Sequence, residues 1–293
     1  MTSLRQAIAE LSSDDLVLRC TALVVLVYGG QSQVLEALFV LCAGAAFVFP
    51  SLLRRASFWF AMVGLSVLLH GLKWIEIDNH QFLLTYWMLA VALALKTSDV
   101  TASLAHAARL LIGACFACGF FWKLFGGQFI DGSFLSLSFL INLKFESFTK
   151  AFGGIDAAQF LYFRDSFELF RSGVLETEAL SLATSERLDS IARVVSYATL
   201  AIEGALAIVF LLGDRVSIRL RHALLIGFIV LVYPVATVPG FACILVVMGL
   251  SDVNARRPRL RGVYLLAFAL SVLSFIPKNL ATYFGMLSDF FTG

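Results

Sequence analysis

Apolar residues run along most of this chain with only short polar interruptions, in stretches at about 16–29, 34–53, 56–77, 82–96, 104–125, 191–212, 222–250 and 262–277. A helix needs about 20 predominantly apolar residues to cross a hydrocarbon core. The pattern therefore predicts an all-α integral membrane helix bundle over residues 1–293, one transmembrane domain. Two stretches depart from a plain span. Segment 16–29 is short, holds Arg19 and is followed by "GGQSQ", so with 34–53 it forms either a tight hairpin or one bent element. Segment 222–250 is interrupted by "YPVATVPG", where Pro234 and Pro239 remove amide donors and Gly240 loosens the chain. It is expected to be a broken, re-entrant helical hairpin near the C-terminus.

Charge placement orients these segments. Basic residues of short loops collect on the cytoplasmic side. Arg54 and Arg55, Lys96, the set Arg215, Arg219 and Arg221, and the cluster Arg256, Arg257, Arg259 and Arg261 share one side only if 222–250 enters and returns. The opposite side then receives "DNH" at 78–80, the Gly126-Gly127 turn and a polar insert at about 144–190, expected to form one or two amphipathic helices lying over the outer face.

Composition agrees: 60% of the 293 residues are hydrophobic and 14% charged, with a mean hydropathy of +0.89. That excludes a soluble domain with a polar surface. The N-terminal "MTSLRQAIAELSSDD" has no cleavage pattern and is expected to be retained. The net charge is +2, with basic residues gathered at the ends of apolar segments, so the expected partner is the lipid bilayer and not nucleic acid. The expected location is a bacterial inner membrane, multi-pass. All five cysteines lie inside apolar runs, where they act as small hydrophobes.

Ionisable groups at membrane depth are costly and therefore informative. Here they are His70, Lys73, Glu76, Asp78, His80, His106, Arg109, Lys123, Asp131, Glu203 and His222. Lys73, Glu76, His106 and Arg109 lie near span ends, where they read as interfacial anchors. His222 follows Arg221 and reads as interfacial too. An apolar, aromatic setting disfavours the charged form of a lysine and makes the neutral amine available as a base. Lys123 sits in "FFWKLFGG", a setting of that kind, although Gly126 marks an interface and an anchor role stands beside the basic one. His80, next to Asp78 and Asn79, is either a turn residue or part of a site with Lys123, because the predicted topology puts both at the same face, with Asp131. Glu203 lies midway through its span, too deep to reach water, so it needs a buried partner or a proton. Cys115 and Cys118 share a helix face; in "GACFACG" they read as small residues for close helix contact, with a reactive thiol pair as the other reading. There is no Gly-rich phosphate loop, nucleophile elbow or His-Glu-x-x-His pattern.

Asn79-His80 opening a span, an arginine-led span ending in Lys123-Leu124, the pair Asp131-Gly132, an acidic residue within a span (Glu203), and a histidine-led segment reaching Gly240-Phe241 follow one another in a particular order. In that order the chain resembles the HTTM family, the membrane domain shared with vitamin K-dependent gamma-glutamyl carboxylase. The likeness covers most of the chain except 144–190. It implies Lys123 as a base that deprotonates a vitamin K hydroquinone, with His80 as its helper. Residues 1–293 do not include the large extramembrane region that completes a carboxylase, so carboxylation itself is not the expected reaction. The expected function is therefore a quinone- or hydroquinone-handling membrane enzyme, with Lys123 and His80 catalytic and Asp78, Asn79, Asp131 and Glu203 supporting. Phe120 and Trp122 would stack on a quinone ring. Two alternatives are a non-catalytic membrane partner in maturation or export of a peptide or protein, and a quinone-linked thiol oxidoreductase using Cys115 and Cys118.

Overall fold

The computed structural model describes residues 12–28, 33–72, 79–173, 184–233, 235–253 and 257–274. Among them there is no strand, so the described fold is all-helical. In chain order the helices are α1 (Ser13–Tyr28), α2 (Gln33–Val48), α3 (Ala56–Leu72), α4 (Asn79–Ala94), α5 (Val100–Phe125), α6 (Ser133–Ile141), α7 (Glu146–Phe152), α8 (Ala157–Arg171), α9 (Glu186–Leu211), α10 (Ile218–Val232), α11 (Pro239–Asp252) and α12 (Pro258–Leu273). A 3-10 turn, Pro50–Arg54, joins α2 to α3. Two helices, α5 and α9, are long and apolar enough to cross a membrane, with 26 residues each.

The chain divides into two compact units, Met1–Ile112 with Pro239–Gly293, and Gly113–Val238. In the first, α11 is the central element: Gly240 and every residue from Ala242 to Asp252 are buried, as an apolar helix without a polar face requires. It packs against α1, α4 and α12. Gly249 makes the last contact possible, since a Cβ there would stand 2.5 Å from a carbon of the Tyr264 ring. The first two apolar stretches are separate helices packed on each other, α1 on α2. Buried indoles find partners: Trp87 Nε1 donates to Thr21 Oγ1 at 3.0 Å, and Trp59 Nε1 to the Leu53 carbonyl at 2.8 Å.

In the second unit, the C-terminal half of α5 and α9 run antiparallel. Leu211 lies against Gly113 and Glu203 against Gly119. The insert forms α7 and α8; Asp156 and Gln159 close a capping box at the start of α8. Phe160 is buried against Phe129, Leu135 and Phe139 in the core of this unit. The interruption after α10 is observed, since neither Tyr233 nor residues 235–238 are helical. Thr237 ties that linker to the insert's end of the unit, its amide donating to the Lys144 carbonyl at 3.0 Å. Pro234 lies outside the described residues.

Candidate functional site

α5 ends because two glycines follow it. The Gly126 amide closes on the Trp122 carbonyl at 3.0 Å, and Gly127 takes φ +58, a left-handed conformation that suits glycine. Lys123 is thereby held in the last turn of α5, its ammonium 5.3 Å from the centroid of the Phe129 ring.

Glu203 comes from the middle of α9 and is 7% exposed. It has the buried partner that its depth demands: Lys123 Nζ donates to Glu203 Oε1 in an ion pair joining positions 80 residues apart. Gly119 clears the space for the carboxylate, since a Cβ there would stand 3.3 Å from Glu203 Oε2. One helical turn of α5 therefore supplies both the room and the cation. Phe120 packs on Gly204, the residue after Glu203, its ring 3.2 Å from where a Cβ there would be. Trp122 points away and is 80% exposed.

Of the expected site residues, the structure brings together Lys123, Glu203 and Phe120. Asp131 stands apart from them; its carboxylate accepts from the Ser133 amide at 2.8 Å. The Ser133 hydroxyl and amide hold its carboxyl below the ordinary range. Asn79 and His80 open α4, and the His80 ring stacks on Phe241 with centroids 4.1 Å apart. His80 belongs to the first unit and Lys123 to the second, so their partnership rests on the expected topology and the family resemblance. Asp78, Lys73 and Glu76 lie outside the described residues. Cys115 and Cys118 are free thiols within α5.

Two further charged groups behave differently from interfacial anchors. Arg109 pairs with Asp252 at 3.6 Å, and the Asp252 side chain is 4% exposed. Arg221 and His222 are both buried at the start of α10. Arg221 donates to the Gly213 carbonyl at 2.6 Å and lies over the Phe210 ring. The Gly213 carbonyl, in the turn after α9, also accepts from the Val216 amide at 3.1 Å, so Arg221 adds a second donor to that turn. Asp252 escapes a reading of the sequence because it stands at the end of an apolar run, where acidic residues are ordinary.

No protein-family model matches the chain, and neither a curated protein nor a solved structure matches it.

Proposed function

We propose that this is an integral membrane protein in which the Lys123–Glu203 pair is a membrane-embedded proton-transfer couple acting on a lipid-soluble weak acid of the hydroquinone class. The observation that carries this reading is the pair itself, a nearly buried carboxylate matched to a lysine between two helices long enough to span. At 26 residues each, α5 and α9 extend about 39 Å, beyond the hydrocarbon thickness. In a soluble protein such helices would be mostly buried, yet 28% and 39% of their apolar windows are.

An ammonium held by a carboxylate already carries its proton, so the site of the couple with room for another is Glu203. A phenolic hydroxyl reaching it would pass its proton to the carboxylate, leaving the phenolate oxygen beside the Lys123 ammonium. The order of motifs that resembles the HTTM family supports the same substrate class. The re-entrant reading of residues 222–250, and a multi-pass inner-membrane location, belong to this proposal.

Menadiol titrated with purified protein in detergent tests it. Bound menadiol should form its monoanion, read by absorbance, at a lower pH than free menadiol. Glu203→Gln should abolish that shift, and Lys123→Met should weaken it. Lys123→Arg should retain part of it, because guanidinium keeps the charge. Failure of menadiol to bind, with all three variants only melting earlier, would make the pair a strut between helices and leave the non-catalytic membrane partner as the better reading.

A further inference from the structure

A cleft of about 430 Å3 opens in the second unit between the turn after α5, α6 and the start of α9, well within the range of small-ligand sites. Its floor is Leu137 and Leu140, and its polar wall carries Asp131, Asp189 and Arg193. These charges are kept from neutralising one another. Asp189 and Arg193 stand four apart on α9, the spacing at which opposite charges pair on a helix. Asp189 instead accepts from Ser136 Oγ at 2.8 Å and from Thr184 Oγ1 at 2.9 Å. Among the described residues Arg193 makes no ion pair.

The stem of Arg193 is fixed by packing. Gly132, at φ +86, brings the turn so close that a Cβ there would stand 2.7 Å from Arg193 Cγ. The same turn presents Asp131, and the bonds from Ser133 keep that carboxylate ionised. A carboxylate has about four lone-pair sites, so Asp189 can accept more after its two hydroxyl bonds. A preset cation therefore faces one cleft together with two preset carboxylates, over an apolar floor.

We propose that this cleft binds a small zwitterion, its anionic oxygens on Arg193 and its primary ammonium on Asp131 and Asp189, with an apolar part against Leu137 and Leu140. Two sources share that chemistry, a free α-amino acid and the phosphoethanolamine headgroup of a lipid.

Calorimetric titration of the intact protein in detergent would use leucine and O-phosphoethanolamine as zwitterionic probes, with ethanolamine and inorganic phosphate as single-charge controls. At least one zwitterion should bind saturably, and both controls about tenfold or more weakly. Loss of one charged hydrogen-bonding partner weakens such binding by about 10- to 100-fold. Arg193→Gln and Asp131→Asn should each show that loss while the thermal midpoint holds, since both side chains are exposed. Binding of leucine alone assigns the site to an amino acid, of phosphoethanolamine alone to a lipid headgroup, and of both to the shared zwitterion. No saturable binding of either, affinities equal to the controls, or binding unchanged in both variants would overturn the proposal.

Discussion

Glycine 119 shows how one missing side chain decides where a charge can live. A Cβ at that position would stand 3.3 Å from Glu203 Oε2 and 3.9 Å from Lys123 Nζ, so a methyl group crowds the pair and a branched chain evicts it. Gly119→Ala is expected to be tolerated at modest cost, while Gly119→Val should separate the pair. Breaking a buried ion pair costs about 3–5 kcal/mol, and here protonation of the freed carboxyl limits the loss. Thermal melting of the two variants, alone and combined with Glu203→Gln, checks this. The Val penalty should shrink in the double variant, and equal penalties in both backgrounds would mean that Gly119 serves backbone packing only. The sequence marks Lys123 by its aromatic setting and Glu203 by its depth, each alone. Their pairing depends on a helix crossing that no local pattern encodes, and so does the burial of Arg221 and His222, whose charge on its own suggests an interface.

Among elements, the join between α1 and the 3-10 turn before α3 is made by Arg54, which pairs with Asp15 and lies 3.5 Å from Asp14. Arg54 donates from Nε to Asp15 Oδ1 at 2.9 Å and lies 2.7 Å from Oδ2, a two-pronged grip across the helix start. The Arg54 hydrogen bond holds the Asp15 carboxyl below its ordinary value of 3.8. A carboxyl whose folded pKa is depressed stabilises the fold above its unfolded pKa and loses that contribution as pH falls through the folded value. Asp15→Asn should therefore lower stability near neutral pH and make no difference well below pH 3.8. With Arg54 half exposed, the loss should be about 0.2–1 kcal/mol. Chemical denaturation at two pH values reads it; an equal penalty at both would assign the effect to packing. Helix existence is legible here from apolar runs, but helix ends are not: the run 34–53 includes the turn Pro50–Leu53, where Pro50 ends one helix and leaves apolar side chains in a loop.

For the whole molecule, the proposal that it spans a membrane can be tested on the second unit alone. The C-terminal half of α5 and α9 run antiparallel, so the Gly126–Gly132 turn and the insert lie at one end of α9 while Gly213–Arg215 lies at the other. α10 starts at that other end, where Arg221 grips Gly213, and finishes at the insert, where Thr237 bonds to Lys144. The two ends differ in charge character: Arg215 in the turn after α9 and Arg219 and Arg221 at the start of α10 gather at one end, whereas the insert mixes both signs. Basic residues in a short loop are held in the cytoplasm, so this end should be inside and the insert outside. The expected result follows for single cysteines placed in a background with the five native cysteines replaced. At Tyr162, 65% exposed on α8, a thiol should react with a membrane-impermeant maleimide in intact cells. At Arg219, in the first turn of α10, it should react only after permeabilisation. Labelling of both from outside would mean that α9 does not cross, and with it the Lys123–Glu203 pair would lose its membrane setting.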